Sequence, residues 1–177
     1  MYVGSQPSFF RLTSAVAPYD PPDPQAIKSS RESVDVLVMS QGMATVQGFT
    51  PTVDGNDEKL TLHYWGRMAL ASELLPHLRK AGESGASGGG GRGARVISVL
   101  SGGVHGAYSG YTSDPELKRG YSIKNAADAA GFYNDLGLDS LALAPGNEKV
   151  KRNSVPGRLR AAGTQAAETA CVEHVLH

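Results

Sequence analysis

The chain has 177 residues, a length that suits one domain, and its 17 Lys and Arg residues balance 17 Asp and Glu residues. This balance excludes a strong overall field that would attract nucleic acid or an anionic membrane. Cys171 is the single cysteine, so an internal disulfide or a cysteine-based metal cage cannot form. The first residues are polar and no apolar stretch is long enough to span a bilayer. We therefore expect a soluble, cytoplasmic protein without a metal site.

The first 33 residues are rich in proline and serine, with a proline-dominated run from Pro18 to Pro24. Proline lacks an amide donor and restricts the residue before it, so no helix or central strand should cross this run. We predict an irregular or disordered N-terminal arm over residues 1–33, with a short helix at Pro24–Ser30.

Two short runs rich in β-branched residues, 34–39 and 95–100, predict strands covered on both faces, as in a parallel sheet. Each run precedes a segment with helical periodicity. Over residues 56–80 and 121–142, apolar residues recur at steps of three and four: Tyr64, Met68, Ala71, Leu75 and Leu78 in the first, and Ala126, Ala130, Tyr133 and Leu136 in the second. This order predicts βαβ crossovers in an α/β core over residues 34–144.

Two segments outside this pattern complete the predicted organisation. Residues 83–93 are rich in glycine and serine but do not end in the Gly-Lys-Ser/Thr of a phosphate-binding loop, so they predict a flexible linker. Residues 145–177 begin with the helix breakers Pro145 and Gly146 and then become basic and alanine-rich. We predict a divergent tail there that is weakly helical.

Four features over residues 34–142 resemble the middle of the short-chain dehydrogenase/reductase family. The first strand and Met39-Ser40-Gln41-Gly42 stand where the family has Asn-Asn-Ala-Gly, with Gly42 literal. His63-Tyr64-Trp65-Gly66 resembles Asn-x-x-Gly, with His63 in place of the asparagine. The second strand leads to Ser101, the place of the family's catalytic serine. Tyr121-Ser122-Ile123-Lys124-Asn125-Ala126-Ala127 resembles Tyr-x-x-x-Lys-Ala-Ala, with Lys124 one position early.

The resemblance implies a partial Rossmann-like, doubly wound parallel sheet and NAD(P)-dependent interconversion of an alcohol and a carbonyl. A tyrosine phenol is a weak base at neutral pH, so the family pairs it with a lysine cation. Ser101 would orient the substrate oxygen, Tyr121 would transfer the proton and Lys124 would assist. Gly42, His63 and Asn125 would lie near the NAD(P) cofactor.

The sequence departs from the family at two points. Asn125 stands four residues after Tyr121, whereas Lys124 is displaced by about 100° around a helix from that position. The glycine-rich turn that brings backbone amides to the cofactor pyrophosphate has no counterpart before Val34. We interpret the chain as a divergent, truncated member that lacks the N-terminal glycine-rich βαβ unit, so an edge of its sheet should be exposed or covered by another chain.

Two alternatives to an enzyme stay open. The chain could be a non-catalytic interaction protein that forms a homodimer through helices 56–80 and 121–142, which commonly form the dimer interface in the family. It could also be a truncated gene product. We interpret His63 as an ordinary helix histidine with satisfied hydrogen bonds rather than as a catalytic base. The expected partner of an active protein is a small alcohol or carbonyl, with neither nucleic acid nor membrane.

Overall fold

The computed structural model describes residues 9–12, 24–87, 93–100 and 105–153. These residues form four strands, five α-helices and one π-helical turn. In chain order they are β1 (Phe9–Leu12), α1 (Pro24–Ser30), β2 (Val36–Met39), α2 (Glu58–Leu60), the π-helical turn (Thr61–Trp65), α3 (Gly66–Glu73), α4 (Leu75–Ser87), β3 (Ala94–Ser98), α5 (Ile123–Leu143) and β4 (Val150–Asn153).

The four strands form one parallel sheet in the order β1-β2-β3-β4. In register, Val36 lies between Phe9 and Arg95, and Ala94 pairs with Val150. Each connection between neighbouring parallel strands carries a helix, as the crossover rule requires. The predicted fold class, a partial Rossmann-like α/β fold, is confirmed.

Both ends of the sheet differ from the expected organisation. β1 lies within the N-terminal segment predicted to be irregular, although α1 occupies the predicted Pro24–Ser30. β4 lies within the tail predicted to be weakly helical, and so the sheet extends beyond residue 144. The remaining parts of the predicted arm, 1–8 and 13–23, and of the tail, 154–177, lie outside the described residues. Helix α4 also continues to Ser87, so the predicted linker begins as a helix.

The predicted helix over 56–80 is present, but it is divided into consecutive pieces. It begins at Glu58 and is capped by Asp57, whose carboxylate accepts hydrogen bonds from the amides of Lys59 and Leu60 at 3.0 and 3.2 Å. Such a cap satisfies amides that have no partner inside the helix. The predicted apolar face is buried, with Tyr64, Met68, Ala71 and Leu78 no more than 2 % exposed.

The sheet is buried more completely on one face than on the other. Leu37, Met39 and Val96 are buried against the helices, whereas Val38 is half-buried and Arg95 is exposed. The expectation that both faces of the strands are covered is therefore wrong for Arg95 within the described part of the chain. The reason is that the helices α3, α4 and α5 contribute their buried faces to a single core.

The centre of α5 packs against the 105–120 segment of the chain. The rings of Tyr111 and Phe132 lie 5.5 Å apart, and the Tyr133 hydroxyl donates a hydrogen bond of 3.0 Å to the carbonyl of Pro115. The homodimer through helices 56–80 and 121–142 stays a prediction. None of the described helices combines the length and apolar character needed to cross a bilayer.

Candidate functional site

A cavity of about 600 Å³ opens at the carboxyl ends of β2 and β3. Its walls are the residues after these two strands, the π-helical turn with its neighbours, and the first half of α5. Ligands of open parallel α/β sheets bind outside this edge, because the loops that leave the strands diverge there. The residues that line the cavity include Gly42, Lys59, His63, Arg67, His105, Ala127 and Gly131.

Gly42 and His63, both predicted to lie near a cofactor, come together in the cavity wall. A β-carbon placed on Gly42 would stand 2.5 Å from Nε2 of His63, closer than real β-carbons approach any atom. Only glycine is therefore compatible with the position of this imidazole. Gly42 and His63 both line the cavity, and their contact with a cofactor stays a prediction.

The imidazole of His63 is oriented by a backbone hydrogen bond. Nδ1 lies 2.8 Å from the carbonyl oxygen of Lys59, and since a carbonyl can only accept, Nδ1 is the nitrogen that donates. Burial lowers the pKa of His63, and the positive charge of Arg67 acts in the same direction, while the hydrogen bond to Lys59 opposes both. The ring is consequently neutral at pH 7, with the lone pair on Nε2.

A buried guanidinium holds the floor of the cavity. Arg67 is 1 % exposed, and its Nη1 donates to the Ser98 hydroxyl at 2.7 Å and to the carbonyl of Val99 at 2.9 Å. Its Nη2 donates to the carbonyl of Gln41. Arg67 therefore ties the residue that follows β3 to a residue that follows β2.

The same network reaches the π-helical turn. The Ser98 hydroxyl donates to Oδ1 of Asn134 at 2.8 Å, and Nδ2 of Asn134 donates to the carbonyl of His63 at 2.6 Å. A π-helical turn disrupts the regular hydrogen bonds of a helix, which makes such a carbonyl accessible to an outside donor. Asn134 therefore fixes the backbone of His63 against α5.

The residues predicted to be catalytic are not assembled in the same way. Tyr121 precedes α5, and its buried hydroxyl has no hydrogen-bond partner among the described residues. The side chain of Lys124 is 81 % exposed and forms an ion pair with Asp128, while Nδ2 of Asn125 donates to the carbonyl of Gly120 at 2.8 Å. Ser101 lies outside the described residues. Tyr121, Lys124 and Asn125 do not line the cavity, and their roles stay predictions.

Tyr121 has a different lysine beside it. Nζ of Lys59 lies 5.6 Å from the centroid of the Tyr121 ring, and the ring of Phe49 meets Tyr121 edge-on at 5.7 Å. Lys59 is buried, and its Nζ lies 3.7 Å from the carboxylate of Asp57 and 3.6 Å from that of Glu58. These two carboxylates at the start of α2 compensate the charge of Lys59.

Lys59, Arg67 and His105 were missed as site residues. Lys59, His63 and Arg67 are four residues apart in turn, a spacing that places them on one helical face and was visible in the sequence. The ring of His105 lies against Gly131 of α5, a contact that no local pattern indicates.

Asp128 lies behind His105 and carries a negative charge. Burial opposes its ionisation, but hydrogen bonds from the Gly106 amide and from Lys124 outweigh burial, so the pKa of Asp128 lies below its usual value. The charge of Lys124 is therefore compensated by Asp128, and Lys124 does not line the cavity.

No family model and no curated protein matches the chain. Its fold is similar to the crystal structure of an uncharacterized protein from Mycobacterium paratuberculosis, with a TM-score of 0.52 and 18% identity over 88% of this chain and 54% of that one. The carbonyl reductase Sniffer of D. melanogaster has a TM-score of 0.43 and 18% identity over 70% of this chain and 49% of that one. The chain thus spans about half the length of these two solved structures. The first likeness concerns the fold alone.

Replacing Arg67 with alanine should destabilise the protein by about 3–5 kcal/mol, because Gln41, Ser98 and Val99 would lose a charged donor inside the protein. Arg95→Ala is the control, since Arg95 is exposed and its loss should change stability by less than about 0.5 kcal/mol. Urea denaturation of both variants measures the difference. Equal stability of the two variants would show that the Arg67 network does not hold the strand ends.

Stability should fall as the pH drops below the ordinary His63 value of 6.5. In that window the unfolded chain binds a proton that the folded imidazole does not accept until the pH reaches its lower folded pKa, at a cost of up to about 1.4 kcal/mol per pH unit. His63→Asn should reduce this loss between pH 7 and 5. Denaturation midpoints at several pH values provide the measurement, and identical slopes for both proteins would contradict the assignment.

Proposed function

We propose that this chain is a short-chain dehydrogenase/reductase-like oxidoreductase that interconverts an alcohol and a carbonyl with NAD(P). The observation that carries the proposal is the cavity at the carboxyl ends of β2 and β3, with Gly42 and His63 in its wall. Its volume of about 600 Å³ lies within the range of small-molecule sites. The sequence resemblance supplies the reaction class.

The cavity fits the nicotinamide end of the cofactor better than the pyrophosphate end. Gly42 and the imidazole of His63, which packs against it, lie together in the cavity wall and offer backbone and polar side-chain groups there. The glycine-rich turn that usually receives the pyrophosphate is absent from the sequence. Gly42 and His63 would hold the nicotinamide end, which supplies hydride exchange with the substrate carbon when it is bound.

The cavity wall is largely apolar and favours a small, weakly polar substrate. Met43, Val99, Leu100 and Ile123 contribute apolar side chains, and α5 contributes alanines. Such walls exclude water from a reacting carbon, while a few polar groups set the orientation of the ligand. A small alcohol or carbonyl compound matches this composition.

A second candidate is a non-catalytic protein of the same fold. The observation that favours it is the ion pair between Lys124 and Asp128, which directs the lysine of the predicted catalytic pair away from Tyr121. Such a protein could retain ligand binding in the cavity without turnover. Binding and turnover must therefore be measured separately.

NADH and NADPH should bind the full chain and raise its melting temperature, with a stabilisation of about 2.7 kcal/mol when the cofactor reaches 100 times its Kd. Ala127→Trp should abolish this response, because Ala127 lines the cavity and a tryptophan would fill it. Cofactor fluorescence and thermal denaturation measure the two effects.

Ala69→Trp is the matched control for this experiment. Ala69 is exposed on α3 and does not line the cavity, so the variant should bind cofactor like the original chain. If neither NADH nor NADPH at millimolar concentration raises the melting temperature or changes its fluorescence with the original chain, the oxidoreductase proposal is wrong. Binding without turnover of any alcohol or ketone tested would favour the second candidate.

A further inference from the structure

The described helices lie on one side of the sheet. The strands follow one another in the order β1-β2-β3-β4, and parallel crossovers are right-handed, so each connection turns in the same direction and leaves its helix on the same face. The ion pair between Lys28 of α1 and Glu73 of α3 joins the first helix to this layer. Among the described residues, no helix therefore covers the opposite face of the sheet.

This opposite face combines aliphatic and cationic side chains. Its residues alternate along the strands with those that are buried against the helices, and we call them the open face: Val36, Val38, Arg95, Ile97 and Lys151. Val36, Val38 and Ile97 are half-buried, whereas Arg95 and Lys151 are exposed. Parallel sheets are ordinarily covered on both faces, because their strands are apolar on both sides. The open face therefore lacks the second layer that its aliphatic residues call for.

The two charges of the open face are neighbours. Arg95 and Lys151 are register partners on β3 and β4, and adjacent strands lie about 4.8 Å apart. Like charges in this position repel each other. Neither side chain forms an ion pair with a described residue. A carboxylate placed between Arg95 and Lys151 would be attracted by both and would relieve their repulsion.

The dimensions of the open face fit one helix. The sheet has four strands of four or five residues, so at the usual spacings the face measures roughly 15 by 15 Å. An α-helix with its side chains is about 10–12 Å wide, and three turns of it span about 16 Å. A stable interface between two domains takes about 800 Å² from each partner, which is several times the area of this face. One helix of a partner is therefore a better match than a whole domain.

We propose that the open face is a docking site for an acidic amphipathic helix of a partner chain. The apolar side of this helix lies on Val36, Val38 and Ile97, and its Asp or Glu residues pair with Arg95 and Lys151. A second copy of the chain on the same face would bring Arg95 and Lys151 against the same two charges, so charge complementarity favours an acidic partner. The inference goes beyond the proposed function, because it requires neither a cofactor nor turnover in the cavity.

The first experiment titrates two synthetic peptides into the ¹⁵N-labelled full chain. Each peptide has about 14 residues, or four helical turns, with leucines along one side. Glutamates flank the leucines in the first peptide, and lysines replace them in the second. The glutamate peptide should shift the amide signals of Val38, Ile97 and Lys151 and leave that of Lys80 on α4 unchanged. The lysine peptide should bind at least about tenfold more weakly, because close charge pairs across an interface contribute at least that much to affinity.

Charge reversal on the chain tests the same pairs from the other side. Arg95→Glu and Lys151→Glu should each weaken binding of the glutamate peptide at least about tenfold and strengthen binding of the lysine peptide. Both residues are exposed, so the variants should keep the circular dichroism of the original chain. Lys80→Glu is the matched control, because it changes the net charge equally on the exposed surface of α4, and it should bind both peptides like the original chain.

Three outcomes overturn the proposal. Equal binding of the two peptides, or binding of neither, would show that Arg95 and Lys151 do not select an acidic helix. A dimer in sedimentation that Ile97→Lys dissociates would assign the open face to a second copy of the chain. A short bismaleimide that joins Lys151→Cys to Cys171 within one chain would assign it to residues 154–177. Cys171 is the single cysteine of the chain, so such a crosslink has one interpretation, and Ala69→Cys on α3 is its control.

Discussion

The contact between the Arg67 guanidinium and the ends of β2 and β3 is the interaction on which the rest of the site depends. Parallel strands diverge where they leave a sheet, and the backbone carbonyls there have no ladder partners. Arg67 donates to Gln41 after β2 and to Ser98 and Val99 at the end of β3. A buried charge is costly unless it is well hydrogen-bonded, and here each hydrogen bond also sets the distance between two cavity walls.

Helix α5 links this floor to the π-helical turn. Asn134 accepts from Ser98 and donates to the carbonyl of His63, so strand β3, α5 and the turn form one hydrogen-bonded unit. The imidazole of His63 also contacts Gly42, so the π-helical turn packs against the residues that follow β2. These hydrogen bonds join residues of different elements, and they hold the π-helical turn against β3 and α5.

Local periodicity was sufficient to locate the long helices and the central strands, but it did not locate β4. The apolar steps of three and four located the long helices, and the runs at Val36–Met39 and Ala94–Ser98 located the central strands. β4 contains Lys151, Arg152 and Asn153, and this polar composition predicts a solvent-exposed tail rather than a strand. A strand at the edge of a sheet needs little apolar character, so its composition does not distinguish it from a tail. The start of α5 was placed too early because Ser122, rather than Tyr121, caps the helix. That shift places Tyr121 before the helix, where a spacing of three or four residues no longer implies a shared face.

The sequence by itself determined the α/β class and the order of its central elements, because these depend on patterns within a few turns of chain. Tertiary structure alone decided which side chains surround the cavity. Lys124 lies next to Tyr121 in sequence, yet the carboxylate of Asp128 binds it, while Lys59, far away in sequence, lies over the Tyr121 ring. Charged side chains pair with the opposite charges nearest to them in space, and the distances between them are set only when the helices pack on the sheet.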